Sequence, residues 1–306
     1  MAHAHGQAHG HQHGPARYDQ AFAIGIGLNL AYVVLEATFG FISGSLALIA
    51  DAGHNLSDVA GLALAWGAAW LSRRHPTERR TYGYRRSSIL ASLANAVLLL
   101  VAVGAISLEA ARRLLDPQPV ESGTILWVAT VGVVVNTGTA LLFMSGRKSD
   151  LNIRGAFLHM AADAGVTVGV IAAALLIGWT GWPWIDPAVS LLIAAVILVG
   201  TWGLLRDSVN LSLDAVPEGI DPREVEACLA RQSGVAEVHD LHIWAMSTTE
   251  TALTAHLVRP GVGVDDGLLD RLRRELHDRF GIEHATLQIE TGDPAHPCPM
   301  APAHVV

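Results

Sequence analysis

The chain has 306 residues, 51% of them hydrophobic and only 16% charged, and its mean hydropathy is positive. An average soluble domain carries about 25% charged residues, so an ordinary soluble globular protein is excluded. The net charge of −8 has the wrong sign for a nucleic-acid binder, which needs a basic face, and two Cys residues are too few for a disulfide scaffold or a Cys-rich zinc fold.

In chain order, residues 1–17 come first. Five of the 15 His residues lie within the first 13 positions. Gly, Ala and Gln between them offer no core, so this stretch reads as a disordered cytoplasmic arm able to chelate metal loosely. Six stretches then approach the ~20 apolar residues needed to cross a bilayer: Tyr18–Phe41, Ser45–Leu71, Ser88–Leu114, Thr124–Met144, Ile153–Trp179 and Ile185–Leu205. The first is too long for a signal peptide and lacks a basic n-region. Lys and Arg in the loops set the orientation. The second loop, "SRRHPTERRTYGYRR", holds six Arg, and the fourth holds Arg147, Lys148 and Arg154. The first and fifth loops hold none, while the third departs from the pattern with Arg112 and Arg113. The balance places both termini in the cytoplasm.

Residues 18–210 therefore read as a six-helix transmembrane domain. Residues 211–292 are charged and soluble in character. "DPREVEACLARQ" has helical spacing behind an Asp N-cap, and "EVHDLHIWAM" and "TETALTAHLV" have strand character. "DDGLLDRLRRELHDRF" is amphipathic, with Leu268, Leu269, Leu272, Leu276 and Phe280 on one side, and "HATLQIE" is a third strand. The order αββαβ in this length suggests a small α+β sandwich. Cys228, in the first of these helices, reads as a core residue. Residues 293–306 form a flexible Pro-rich tail.

The second span is interrupted by "DAGHNLSDVAGL", with Asp51, His54, Asn55 and Asp58. A carboxylate at the centre of a membrane helix costs about 2.5–3.5 kcal/mol, so something must compensate. His54 and Asp58 are four apart, on one helix face and one turn apart. "FLHMAADAG" in the fifth span repeats the spacing with His159 and Asp163. Facing each other, the two helices supply two nitrogens and two oxygens, a tetrahedral set for Zn²⁺, whose charge offsets the buried carboxylates. One His-x-x-x-Asp is as easily a structural pair; two copies favour metal. Asp51 lies near the same face, as a ligand or entry residue. Asn29, Asn55, Asn95 and Asn136 read as helix–helix hydrogen bonders, joined by Glu36.

"SGSLALIADAGHNLSDVAGLALA", "RRTYGYRRSSILASLAN" and "LHMAADAGVTVGVIAAALLI" closely resemble the cation diffusion facilitator (CDF) family, in its zinc-transporting, bacterial cation-efflux branch. The resemblance covers nearly the whole chain. It implies an α-helical membrane protein of six transmembrane helices with a ferredoxin-like αββαβ cytoplasmic domain, working as a homodimer that exchanges Zn²⁺ for H⁺. The family's ligand positions fall on His54, Asp58, His159 and Asp163. A second loop site found in some members would fall on Thr77, Arg80 and Tyr84, which cannot ligate in the same way, with His75 alone nearby. The resemblance further implies metal binding in the cytoplasmic domain by His239, His256 and Glu290, with Gln288 where some members have His. His239 and His256 also fall on adjacent strands, where they can meet across a hairpin; His284, His296 and Cys298 are further candidates, and His242 reads as packed. A charge contact between Arg86 and Asp214, linking the membrane and cytoplasmic parts, is likewise implied.

The expected function is a zinc/proton antiporter exporting Zn²⁺ from the cytoplasm, in the bacterial inner membrane. Metal and proton compete because His must be neutral and Asp ionised to bind. Zn²⁺ is the substrate and a possible structural or regulatory ion of the cytoplasmic domain; Cd²⁺, Co²⁺ and Ni²⁺ are further candidate substrates, because raw affinity does not set selectivity. No nucleic-acid partner is expected. A membrane metalloenzyme would need an open coordination position and a general base, and the His-Glu-x-x-His motif of zincins does not occur. A metal-responsive sensor without transport is the other alternative.

Overall fold

The computed structural model describes residues 17–144, 151–261 and 265–301, with side chains undescribed at 17–25, 62, 65, 66, 69, 143 and 151–159. The His-rich arm over residues 1–16 lies outside the described residues, as do 302–306. Six long helices come first: α1 (Arg17–Ser43), α2 (Leu46–Ser72), α3 (Ser87–Leu115), α4 (Ser122–Phe143), α5 (Leu151–Thr180) and α6 (Ile185–Ser212). Then come α7 (Pro222–Ala230), β1 (Glu237–Ala245), β2 (Thr251–Val258), α8 (Asp266–Phe280) and β3 (Ile282–Glu290). Among the described residues, α1, α3, α4, α5 and α6 are long and apolar enough to cross a membrane. At 27 residues α2 has the length for a sixth crossing. Five of the six helices end within two residues of the sequence expectation. The sixth, α6, runs on from Leu205 to Ser212, because charged residues end a membrane span but need not end a helix.

The chain forms two compact units, Met1–Val59 with Leu99–Leu198, and Ala60–Leu98 with Val199–Val306. In the first, Leu48, Val103, Ile125, Val128, Val170 and Ile193 belong to one buried cluster. The residues facing outward are also apolar: Phe41, Val101, Val134 and Leu192 are all at least 65% exposed. An apolar exterior on this scale suits lipid rather than water. Trp179, Trp182 and Trp184 stand exposed around the α5–α6 connection, as aromatic residues do at a membrane interface.

Two contacts shape the ends of helices in this unit. Asp186, in the first turn of α6, accepts from Ser45 Oγ at 2.5 Å, Leu46 N at 2.8 Å and Ala47 N at 3.4 Å. It thus satisfies donors at the start of α2, which have no partner within that helix. Arg113 donates to Glu109 Oε1 at 3.1 Å and to the Gly44 carbonyl at 2.5 Å. That explains the basic residue on the side of the third loop where the charge rule expects none: Arg113 is engaged locally.

In the second unit, α7 is capped by Asp221, whose carboxylate accepts from Arg223 N. Asp265 caps α8 through Gly267 N, and Gly281 closes that helix in the left-handed conformation at φ 65°, where glycine has no Cβ penalty. The sheet order is β1-β2-β3, with β1 and β2 antiparallel and β2 and β3 parallel, joined by α8 as the crossover. Val225 and Leu229 of α7 and Leu268, Leu272 and Leu276 of α8 meet Ile243, Leu253 and Leu257 in one core. Leu269 and Phe280 are only half-buried, so the apolar stripe of α8 is narrower than its sequence suggested. This is the expected αββαβ unit.

Candidate metal centres

α2 and α5 bring three residues of the paired motifs together within the first unit. His54 Nε2 lies 3.8 Å from Asp58 Oδ2 on its own helix and 3.6 Å from Asp163 Oδ1 on α5. Ligand atoms of the three residues fall within 4.8 Å of one another. Tetrahedral coordination at about 2.0–2.2 Å per bond sets ligand atoms about 3.3–3.6 Å apart, so one ion fits between them with little movement. Asp163 is buried, while His54 and Asp58 are partly accessible at 22% and 30%. His159 stands four residues before Asp163 on α5, and its side chain lies outside the described residues.

A fully buried polar cluster adjoins these residues. Tyr32 Oη donates to Glu36 Oε1 at 2.7 Å, and Asn55 Nδ2 donates to Glu36 Oε2 at 3.2 Å. Thr167 Oγ1 lies 3.1 Å from Asp51 Oδ2 and 2.9 Å from the Asp163 carbonyl. Glu36, Asp51 and Thr167 have no solvent exposure. Gly132 of α4 lets Tyr32 approach, since a Cβ there would overlap the Tyr32 ring. Asp51 therefore belongs to this cluster and is absent from the group of converging ligand atoms. Asn29 and Asn55 do make interhelical hydrogen bonds, Asn29 to the Met160 sulfur at 3.6 Å.

The second centre is in the αββαβ unit. His239 and His256 are register partners on β1 and β2, with ring centroids 5.3 Å apart. Glu290 on β3 lies 3.0 Å from His256 Nδ1 and 3.4 Å from His239 Nε2. Cys298 Sγ lies 3.5 Å from His256 Nδ1, and these four residues form one group of converging ligand atoms. Both His239 nitrogens are buried and make no aligned hydrogen bond, although Glu237 also lies 3.4 Å from one of them. Two imidazoles, a carboxylate and a thiol suit Zn²⁺. Burial pushes the Glu290 carboxyl up, but the Cys298 thiol, the Gln288 amide and the two imidazoles outweigh it and hold it below the usual range.

Other candidates go elsewhere. His296 pairs with Asp293 at 3.1 Å, and His284 packs edge-on against Tyr82. A bulge between His239 and His242, with Asp240 at φ 50°, turns His242 outward. It is 41% exposed and 2.9 Å from Asp240, so the packed role expected of it does not hold. Thr77 and Arg80 bond to each other through their backbones, and Arg80 stacks over Tyr84.

Arg86 Nη2 donates to Asp214 Oδ1, the pair that the family resemblance implied. Beside it, Arg85 Nη1 donates to Glu250 Oε1, and Ser88 Oγ accepts from Thr248 N at 3.1 Å. Sequence reasoning missed these two contacts, as it missed the Asp186 cap. Glu250 carried no local signal beyond its place at the start of the second expected strand. Ser45 just before α2 was a readable N-cap residue type, but nothing local pointed to its partner 141 positions away.

The family described as a cation efflux transmembrane domain matches residues 22–211, and the one described as a cation efflux protein cytoplasmic domain matches residues 217–292. The metal cation efflux system protein CzcD of Cupriavidus metallidurans is 38% identical over 299 residues, covering 97% of this chain and 93% of its own. The zinc transporter ZitB of Escherichia coli is 39% identical over 295 residues, 95% of this chain and 93% of its own. The cadmium, cobalt and zinc/H⁺-K⁺ antiporter of Bacillus subtilis is 35% identical over 287 residues, 92% of each.

Proposed function

This chain belongs to the cation efflux, or cation diffusion facilitator, family, and from that premise we propose that it exports Zn²⁺ from the cytoplasm in exchange for protons. Membership itself makes it a multi-pass membrane transporter of metal cations with a cytoplasmic C-terminal domain, and not an enzyme. The finer reading rests on one observation above all: His54, Asp58 and Asp163, from two helices of an apolar unit, converge to single-ion distances. We take His159, one turn before Asp163 on α5, as the fourth member of a His₂Asp₂ set.

Zn²⁺ enters as substrate from the cytoplasm and binds neutral imidazoles and ionised carboxylates. Exposure to the far side favours protonation of those ligands, and the ion leaves. Free His titrates near ~6.5, so protonation competes with metal at working pH. Zinc and the antiport mode are supported by the ZitB and Bacillus relatives. Their range of metals is why Cd²⁺, Co²⁺ and Ni²⁺ remain candidate substrates. A second Zn²⁺ held by His239, His256, Glu290 and Cys298 would tie the three strands and the tail together. The protein acts as a homodimer in a bacterial inner membrane with both termini cytoplasmic. In domain terms, a 1–17 arm supplies metal, 18–210 carries it, 211–292 dimerises and binds metal, and 293–306 is the tail, which lends Cys298. Arg86 with Asp214 links membrane and cytoplasmic parts.

The test is zinc flux into proteoliposomes. Asp58→Ala removes one ligand and one of the compensating charges. It should reduce flux to the level of empty vesicles while the purified variant keeps the wild-type elution volume. Wild-type flux in the Ala variant would overturn the site.

A further inference from the structure

The carboxyls of Glu36 and Asp51 lie outside the groups of converging ligand atoms among the described residues, yet they occupy the interior of an apolar unit at zero exposure. Each comes from a different helix, α1 and α2, and Glu36 is bonded to Asn55, which stands one helical turn after Asp51 on α2. Glu36 already accepts from Tyr32 and Asn55. Asp51 Oδ2 accepts from Thr167, but Asp51 Oδ1, also buried, has no donor among the described residues. Two ionised carboxylates are both acceptors and repel each other. One proton between them supplies the missing donor and removes one of two buried charges.

We propose that Glu36 and Asp51 form a proton-binding pair, separate from the metal ligands, that gives up its shared proton when a divalent cation binds between His54, Asp58 and Asp163. This rests on the reading of those three residues as the metal site. The link is short and physical. Asp51 is one turn before Asn55, and Asn55 bonds Glu36 while following His54 directly. Thr167, one turn after Asp163, lies against both Asp51 and the Asp163 carbonyl. Besides Glu36, the titratable groups around Asp51 include His54, Asp163 and the Tyr32 phenol of α1; α4, packed behind Tyr32, carries no titratable side chain. An arriving 2+ ion lowers the cost of a second negative charge here. The O–H bond of the shared carboxyl breaks, the proton leaves to the medium, and both carboxylates remain ionised while the ion is bound. Loss of the ion restores the proton. Metal and proton are then coupled through the field as well as through the ligands.

The experiment titrates the purified full-length protein with Zn²⁺ at fixed pH in buffers of different ionisation enthalpy, which yields protons released per zinc bound. Glu36→Gln keeps the size of the side chain and a partner for Tyr32 but cannot titrate. It should still bind zinc with the wild-type stoichiometry and release fewer protons, by about one per protomer. Asp51→Asn should show the same loss, and it reads the same pair if Glu36→Gln does not fold. The cytoplasmic centre is unchanged in both, so its protons cancel in the comparison. An unchanged proton count in either folded variant overturns the proposal. Failure of the underlying site reading looks different: Asp58→Ala would then bind zinc with the wild-type stoichiometry.

Discussion

On the proposed function, His54 is the residue on which metal preference should turn. Changing it to Asp replaces an imidazole nitrogen with a carboxylate oxygen at a position 3.6 Å from Asp163. Imidazole favours Zn²⁺ and carboxylates suit harder ions such as Mn²⁺. His54→Asp should still transport metal but with the ratio of Mn²⁺ to Zn²⁺ raised, measured by competitive flux in the same vesicles. An unchanged ratio in an active variant would move selectivity to another residue. The two cysteines separate at this scale as well. Cys228 is fully buried; burial, then the nearby Glu275 carboxylate, push its thiol up to about 11. At pH 7–8 it is protonated, and only the thiolate reacts, so it should resist alkylation in the folded protein. Cys298, beside His256 and Glu290, also has its thiol pushed up by desolvation and the Glu290 carboxylate, but unlike Cys228 it is partly exposed, so it should react in the metal-free protein and be protected roughly tenfold by Zn²⁺, as in a thiolate-bound site. Peptide mass spectrometry after iodoacetamide, with and without chelator, reads both. Equal labelling of Cys298 in the two conditions would remove it from the centre.

At the scale of elements, the position of α2 matters most, since it carries His54 and Asp58. Its first turn is held by Asp186 from α6 through one hydroxyl and two backbone donors. Leaving a buried donor without a partner costs about 1–3 kcal/mol. Asp186→Ala should therefore lower the thermal midpoint of the purified protein by several degrees, and Asp186→Asn, which keeps one acceptor, should recover part of the loss. Thermal unfolding by tryptophan fluorescence checks it, and a wild-type midpoint in the Ala variant would refute the capping role. Elements differ in how much of this was readable. Spans, the cap at Asp221 and the αββαβ order follow from local periodicity and cap residues; sequence reasoning missed the cap at Asp265. The bulge at Asp240 does not, and it is what sends His242 to the surface while His239 stays buried.

On the proposed function, the whole molecule couples an ion that needs deprotonated ligands to a membrane that stores a proton gradient. Zinc movement into vesicles should slow several-fold when an ionophore collapses ΔpH, because release needs protonation of groups that bind the ion. Flux indifferent to both ΔpH and bulk pH across about 5.5–8, the range spanning free His, would indicate a channel-like path. On this scale the sequence by itself determined a great deal. The six apolar spans, the two His-x-x-x-Asp pairs and the placing of His239 and His256 on neighbouring strands are written in runs and spacings within single segments. Such spacings are fixed by the geometry of one strand or one helix and need no knowledge of neighbours. The tertiary structure alone decided which polar groups meet across the fold. Thr167 reaches Asp51 over a separation of 116 residues, Asp186 reaches Leu46 over 140, and Cys298 reaches His256 over 42. Those contacts exist because burying a polar group without a partner is costly in an apolar interior. The chain therefore finds partners wherever packing brings them, and no local pattern records the choice.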